Sequence, residues 1–149
     1  MDFTYTETQD MIRDTLSRYL ADTYDFAKRQ KMSAREGGRD PGIWQALANE
    51  LGMLGAPFSE AHGGLGGGAL ENAIVMEELG KVIAIEPYLQ TVIIGGGALK
   101  TVGGAQADAV IPEIIAGKTS SPLLMQSRRV VTIWPASRRA RRRTARAMC

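Results

Sequence analysis

Residues 40–55 read DPGIWQALANELGMLG, and this stretch decides the fold class. Asp40 suits a helix N-cap, and Pro41 suits the first helical position, where the missing backbone N–H costs nothing. Apolar side chains then recur three or four residues apart on one face: Ile43, Trp44, Leu47 and Leu51. Gly52 stands where a glycine commonly ends a helix. The stretch therefore predicts an amphipathic helix packed on a core.

The residues before this stretch predict a second amphipathic helix. Thr6 and Gln9 fit a capping box, in which each side chain satisfies a backbone amide of the first turn. The apolar residues that follow recur at helical spacing: Met11, Ile12, Leu16, Tyr19 and Leu20. We expect this helix to end near Asp22–Tyr24. Residues 25–39 are charged and contain glycine, so we expect them to form a connection.

After the decisive stretch comes a loop, followed by another helix. Residues 52–68 contain seven glycines and Pro57 without any periodic pattern, which predicts a loop. The next apolar face runs from Leu70 to Leu79 and is ended by Gly80.

Two more apolar segments complete the helical part. Tyr88–Leu99 is interrupted by Gly95–Gly97, where we expect a neighbouring backbone to pack closely, because three glycines would weaken an isolated helix. The pattern over Gln106–Ala116 predicts the last helix. Pro112 either kinks this helix or moves its start. No convincing strand precedes residue 129. We therefore predict an all-α bundle of about five to six helices.

Charge divides the chain into two parts. All 16 acidic residues and 10 of the 18 basic ones fall in residues 1–118, which therefore carry a net charge of about −6. Residues 119–149 hold the other 8 basic residues, all arginine, and no acid. We predict one helical domain over residues 1–118 and an irregular or disordered basic tail over residues 119–149.

Composition excludes several classes of protein. An apolar content of 44% is typical of a globular protein, and no apolar run is long enough to span a bilayer. The acidic N-terminus is unlike a secretory or transit peptide. One cysteine, Cys149, and one histidine, His62, form neither an internal disulfide nor a His/Cys metal site. We expect a cytoplasmic protein without a metal.

Neither of two glycine motifs predicts a nucleotide site. Residues 64–69, GLGGGA, match the dinucleotide-binding pattern, but that pattern needs a preceding strand, and a helix precedes it here. A tight turn that needs positive φ angles is the better interpretation. Gly117-Lys118-Thr119 matches the end of a phosphate-binding loop, but Pro112 stands where the motif requires glycine. We reject both sites.

No catalytic group emerges from the sequence by itself. Glu77 and Glu78 are adjacent on a predicted helix, so their side chains point about 100° apart and do not converge on one substrate atom. We expect a solvated helix edge there and a surface position for His62. No Ser/His/Asp or Cys/His constellation can be assembled.

Five features in register make the chain resemble a known family. They are FTYTETQ at residues 3–9, WQALANELGMLG at 44–55, Pro57 with GGLG at 63–66, EELG at 77–80 and IIAGK at 114–118. In this order they resemble the N-terminal helical domain of the acyl-CoA dehydrogenases. These flavoenzymes introduce a double bond between the α and β carbons of acyl-CoA thioesters. Glu86-Pro87-Tyr88-Leu89 is similar to the branch whose members often act as one subunit of a heteromeric pair.

The resemblance implies a bundle that covers one side of an acyl-chain pocket. It implies that Gly63, Gly64 and Gly66 belong to a loop near that pocket and that Tyr88 and Thr91 occupy acyl-facing positions. An apolar chain favours an apolar wall, and glycine allows close backbone approach. Simple packing at these five positions is the alternative. The resemblance also implies FAD as cofactor, acyl-CoA as substrate and a homo- or hetero-oligomer with another acyl-CoA dehydrogenase subunit.

Beyond Lys118 the resemblance stops. The family continues into a β-domain that binds flavin and thioester, and then into a C-terminal helical domain that supplies the catalytic carboxylate. Residues 119–149 resemble neither domain. Dehydrogenation needs a bound flavin to accept the hydride and a positioned base to take the α-proton. We therefore expect a truncated polypeptide that retains no FAD and is inactive alone.

Two interpretations of the arginine-rich tail remain. The favoured one is out-of-frame translation, because arginine, alanine, serine and proline dominate shifted reading of GC-rich genes. The other makes the chain a non-enzymatic helical interaction module, in which the run Arg138–Arg143 binds nucleic acid or an anionic membrane. The nucleotide sequence after codon 118 distinguishes the two interpretations.

Overall fold

A computed structural model describes residues 4–34 and 38–119 of the chain. Within these residues the fold is all-α, with six helical elements and no strand, as predicted. Helix α1 spans Glu7–Thr23 and begins with the predicted capping box: Thr6 Oγ1 accepts from the Gln9 amide, and Gln9 Oε1 accepts from the Thr6 amide. The core face of α1 is formed by Ile12, Leu16 and Leu20. Met11, predicted on that face, is 61% exposed.

The prediction of a connection over residues 25–39 is wrong, because helix α2 spans Phe26–Ala34. Asp25 begins it: its Oδ1 accepts from the Lys28 amide at 2.7 Å, which is N-cap geometry. Only Met32 of α2 is buried. A short helix that contributes one side chain to the core has no apolar face for the sequence pattern to show.

Helix α3 spans Pro41–Gln45 and continues as a π-helical turn over Ala46–Glu50. Asp40 caps it through Oδ1, which accepts from the Gly42 amide at 2.9 Å. Gly52 follows the helix with φ +66°, a left-handed conformation that glycine adopts without strain. The predicted start and end of this helix are confirmed.

Helix α4 spans Ala69–Lys81 and packs along α1. Its Glu78 is only 2% exposed, and Glu78 Oε1 lies 2.6 Å from Lys81 Nζ and 3.7 Å from Arg13 Nε. The neighbouring Glu77 is half exposed and lies 3.4 Å from Arg13 Nη2. The expectation of a solvated edge therefore holds for Glu77 and is wrong for Glu78, whose carboxylate lies against α1.

Helix α5 consists of a π-helical stretch, Leu89–Gly96, that runs into an α-helical stretch, Gly97–Val102. We expected a neighbouring backbone against its glycines, but the neighbour is a side chain. A Cβ built on Gly96 would lie 2.4 Å from Cζ of Phe58, while one on Gly97 would meet nothing within 4 Å. Gly96 is therefore required by packing against an aromatic ring, and a Cβ on Gly95 would lie 3.3 Å from the Gln90 carbonyl oxygen of the same helix.

Helix α6 spans Gly104–Ile115 and passes through Pro112 without ending. Its end is tied to α3: the carbonyl of Gly117 accepts hydrogen bonds from Trp44 Nε1 at 3.1 Å and from Gln45 Nε2 at 2.9 Å. Gly117 itself has φ +67°, and a Cβ there would lie 2.8 Å from Cβ of Ala48. The last described residues are thus anchored to the start of the helix that decides the fold.

The core lies between α1, α3, α4, α5 and α6, and its largest fully buried side chains include Tyr88, Phe58, Leu16, Leu47 and Ile111. Among the described residues, none of the helices combines the length and the apolar character needed to cross a membrane. The predictions made for residues 120–149 lie outside the described part of the chain.

Candidate functional site

The loop between α3 and α4, residues 52–68, contains two short 3-10 turns, Met53–Gly55 and Glu60–His62. Three glycines that we expected near an acyl pocket follow the second turn. Gly63 and Gly66 have φ angles of +85° and +74°, so side chains would be strained there. A Cβ on Gly64 would lie 2.3 Å from the carbonyl oxygen of Phe58. The loop is therefore folded closely onto its own backbone.

The amides of this glycine segment are used inside the loop. Those of Leu65, Gly66 and Gly67 donate to the carbonyls of Gly55, Phe58 and Ala56 at 3.0, 2.8 and 3.0 Å. A dinucleotide site needs such amides to face a phosphate. The rejection of a dinucleotide site here agrees with this geometry.

The same observation tests the flavin that the resemblance implies. The amides of residues 63–67 already have acceptors inside the loop, so this glycine segment offers a pyrophosphate no free donors, and the described residues contain no strand to precede it. The glycine loop therefore does not fit the pyrophosphate of FAD, and no chemical step is derived through the flavin. Among the described residues there is also no group of three or more His, Cys, Asp or Glu side chains arranged to hold a metal ion.

Tyr88, expected at an acyl-facing position, is fully buried just before α5. Its hydroxyl lies 3.0 Å from Asn72 Oδ1 and 3.3 Å from the Met53 carbonyl oxygen, and it donates to either acceptor. Burial raises the pKa of Tyr88 above its usual range. Tyr88 thus joins α5 to α4 and to the start of the glycine loop.

Thr91, one turn further along α5, is 2% exposed, and its hydroxyl has no hydrogen-bond partner in the structure. A buried hydroxyl without a partner costs free energy, so it is an unusual feature in a well-packed helix. A polar group supplied by a bound molecule or by another domain would remove that cost.

An open cleft of about 450 Å³ lies between the end of α4 and the start of α5. Its volume is within the usual range for small-molecule sites, about 300–1,000 Å³. Most of its lining is apolar: Met76, Leu79, Ile83, Ala84, Ile85, Tyr88 and Leu89, together with Gly80, Glu86 and Gln90. Of the five predicted site residues, Tyr88 lines this cleft, and Thr91 and the three glycines do not.

The glycine loop reaches α5 through a residue that the sequence did not indicate. Phe58 places its carbonyl against Gly64 and its ring against Gly96. It is 2% exposed, and Lys100 Nζ on α5 donates to the carbonyl of the adjacent Pro57 at 3.0 Å. The structure therefore brings the predicted loop and the predicted helix together over one aromatic ring.

Glu86 is a second residue that the sequence did not single out for a site. It is 7% exposed, and neither carboxylate oxygen has a hydrogen-bond partner in the structure. Burial raises the pKa of Glu86 to about 7. The Asp40 carboxylate also raises this pKa, whereas the Arg39 guanidinium and the nearby Asp40 amide lower it. The sequence does carry one signal for Glu86, which is the single acidic residue in the apolar stretch Val82–Tyr88.

The prediction that no Ser/His/Asp group can be assembled is wrong, because the structure brings one together around His62. Ser59 Oγ lies 2.8 Å from His62 Nδ1, and Asp108 Oδ1 lies 2.9 Å from His62 Nε2. His62 is therefore a bonded, half-buried side chain and not a free surface histidine. Asp108 belongs to α6, 46 residues away, so only the packing of α6 on the loop reveals the group.

Comparison with known proteins agrees with this fold. Residues 6–118 match the family described as "Acyl-CoA dehydrogenase, N-terminal domain". The chain is 28% identical over 126 residues to "Acyl-CoA dehydrogenase IpdE2" of Mycobacterium tuberculosis, covering 84% of this chain and 39% of that protein. It is 29% identical over 106 residues to "Acyl-CoA dehydrogenase FadE27" of the same organism, covering 71% of this chain and 28% of that protein.

A solved structure is also similar, that of the ChsE4–ChsE5 complex from Mycobacterium tuberculosis. The TM-score is 0.71 at 27% identity, and the match covers 78% of this chain and 32% of that chain. The chain thus spans less than two fifths of the length of these relatives.

Proposed function

This chain belongs to the acyl-CoA dehydrogenase family, which it matches in the N-terminal helical domain, and from that membership we propose that it forms one wall of the acyl pocket in an α,β-dehydrogenating assembly. One observation carries the proposal. Phe58 holds the glycine loop against α5, and Tyr88, just before α5, lines an apolar cleft of about 450 Å³. An acyl chain needs such a surface because its burial is driven by apolar contact.

The five residues take the following roles in this proposal. Tyr88 and Thr91 lie on the side of the wall formed by α5, and the buried Thr91 hydroxyl lacks a partner until the pocket is complete. Gly63, Gly64 and Gly66 shape the loop, whose tight folding is supported by the close approach of Gly64 to Phe58. The glycines act by allowing backbone contact and not by chemistry.

The wall by itself performs no redox step. The family as a whole is FAD-dependent, and FAD supplies the hydride acceptor when it is bound. Because the glycine loop offers a flavin pyrophosphate no free amides, we propose that flavin and catalytic base come from outside residues 4–119, and that FAD is not retained by these residues. The similar ChsE4–ChsE5 structure is a complex of two proteins, which supports a role beside another acyl-CoA dehydrogenase subunit.

Calorimetric titration of the purified chain with an acyl-CoA and with free CoA tests the wall. We expect the acyl-CoA to bind more tightly than CoA. Leu89→Asp, in the cleft, should weaken acyl-CoA binding about tenfold or more, because it places a charge against the acyl chain.

Val102→Asp is the matched control, since Val102 is 81% exposed near the end of α5 and does not line the cleft. It should leave acyl-CoA affinity unchanged. Equal affinity for CoA and acyl-CoA, or equal losses in the two variants, would show that the cleft does not receive the acyl group.

A further inference from the structure

A chain of side-chain hydrogen bonds joins the turn before the glycines to helix α6. It runs from Ser59 Oγ to His62 Nδ1 over 2.8 Å, and from His62 Nε2 to Asp108 Oδ1 over 2.9 Å. Both lengths are those of well-formed hydrogen bonds. Gly63 and Gly64 follow His62 directly in the sequence, so the position of His62 determines where this part of the loop begins.

One placement of protons, with a neutral His62 ring, satisfies every group of the network. In this placement Asp108 Oδ1 accepts, and His62 Nε2 carries a hydrogen and donates to it. In the neutral ring Nδ1 is then an acceptor, and the Ser59 hydroxyl donates to it. All three side chains are satisfied in this arrangement, which is the condition for a polar group to hold one geometry.

We propose that Ser59, His62 and Asp108 are positioning residues, a clasp that holds the glycine loop, and with it Gly63, Gly64 and Gly66, against α6. This inference rests on the proposed function for its link to acyl binding. The clasp itself is a claim about the loop and can be tested without any ligand.

The start of the loop is tied to α5 by the hydrogen bonds of Tyr88 to the Met53 carbonyl and of Lys100 to the Pro57 carbonyl, whereas the glycine segment that follows His62 is bonded only within the loop. The amides of residues 64–67 donate to carbonyls of residues 55–59, so they fold the loop but do not attach it to a helix. Gly63 and Gly66 have no side chains with which to pack. Contact with α6 is made by the clasp and by the packing of Ile115 beside Gly55.

The geometry favours positioning over nucleophilic catalysis. A serine nucleophile needs free donors for the developing oxyanion. The Gly63 and Gly64 amides, next to the histidine, already donate to the carbonyls of Glu60 and Ser59 at 2.9 and 3.0 Å. Ser59 and Asp108 are exposed, so they also lack the water-excluding environment that makes such donors effective.

Hydrogen–deuterium exchange tests the clasp directly. The Leu65, Gly66 and Gly67 amides are bonded within the loop and exchange when the loop opens. Asp108→Ala should speed their exchange about 2- to 12-fold, the effect of losing one ordinary hydrogen bond at an exposed position. Glu113→Ala, an exposed acid further along α6, is the control and should leave exchange unchanged.

Two substitutions of the histidine separate its nitrogens. His62→Gln keeps a donor near the Nε2 position, and His62→Asn keeps a polar atom only near the Nδ1 position. We expect the glutamine variant to exchange like the wild type and the asparagine variant to exchange like Asp108→Ala. Rescue by glutamine alone would not follow from a general loss of packing. Unchanged exchange in Asp108→Ala, or equal effects of the two His62 variants, would overturn the clasp.

The link to acyl binding has its own readout. Asp108→Ala should weaken binding of an acyl-CoA several-fold while leaving binding of free CoA unchanged, and Asp108→Asn, which keeps an acceptor, should restore it. If the wild type binds no acyl-CoA, the proposed function fails, and the exchange data still decide the clasp. Hydrolysis of the thioester by the wild type that is lost in Ser59→Ala would overturn the positioning role.

Discussion

Gly96 lies directly against the ring of Phe58, so closely that a Cβ on Gly96 would be 2.4 Å from Cζ of Phe58. This relationship sets the distance between α5 and the glycine loop. Gly96→Ala should therefore lower the free energy of unfolding by about 1–3 kcal/mol, the usual cost of overpacking a core. Urea denaturation provides the measurement.

Alanine at the adjacent glycine, Gly97, should change the free energy of unfolding in the opposite direction. A Cβ on Gly97 meets nothing within 4 Å, and Gly97 is helical, so Gly97→Ala should stabilise the protein by about 0.5–1 kcal/mol. Combining Gly96→Ala with Phe58→Leu should recover part of the loss through coupling between touching residues. Similar effects of the two alanine variants would show that Phe58 does not approach Gly96.

Glu86 should make stability depend on pH. Its folded-state pKa, about 7, is raised above the ordinary value of 4.5. A raised pKa favours the protonated form on folding, so this contribution is fully present below about pH 4.5 and is lost as pH rises through about 7. This contribution of Glu86 to the free energy of unfolding is at most about 3 kcal/mol.

Glu86→Gln should therefore unfold with a free energy that varies less between about pH 5 and about pH 8 than that of the wild type. Measured at the higher pH, the variant should be the more stable protein. Glu113→Gln, at an exposed position, serves as the control. If both variants follow the wild-type pH profile, Glu86 is ionised and solvated in the folded state.

Thr91→Val should stabilise the isolated chain by about 1 kcal/mol, because it removes a buried hydroxyl that has no partner and keeps the side-chain shape. Thermal unfolding of the variant beside Thr101→Val tests this. Thr101 is exposed, and its hydroxyl donates to the Gly97 carbonyl at 2.9 Å, so its replacement should change stability little. A loss of stability in Thr91→Val would mean that the hydroxyl is already bonded.

The two adjacent glutamates of α4 should differ in their effects. Glu78→Gln removes a buried charge that lies 2.6 Å from Lys81 Nζ, and it should cost about 1–3 kcal/mol. Glu77→Gln changes a half-exposed pair and should cost less than about 0.5 kcal/mol. Chemical denaturation of both variants at one pH is sufficient. Equal costs would contradict the burial of Glu78.

The sequence predicts most of the fold because its helices are marked by local signals. The Thr6–Gln9 capping box, the Asp40-Pro41 start and the Gly52 stop each act over a few residues and are seen in the structure. Helix α2 was missed because its beginning depends on Asp25 alone and its burial on Met32 alone. Local patterns therefore predict a helix that has an apolar face, but not a helix that buries a single side chain.

The site is less predictable because its contacts join distant parts of the chain. Phe58 against Gly96, Tyr88 beside Asn72 and His62 beside Asp108 depend on how helices pack. Composition and spacing carry no information on such pairs. Glu86 was visible as an acid among apolar residues, but its lack of hydrogen-bond partners is a property of the packed structure.

The two hydrogen bonds from Trp44 and Gln45 to the Gly117 carbonyl also determine how the domain bears mechanical load. A pulling force applied beyond Gly117 reaches α3 through these bonds before it can unwind the last turn of α6. Both bonds converge on one carbonyl oxygen, so the end of α6 separates from α3 only when both are broken.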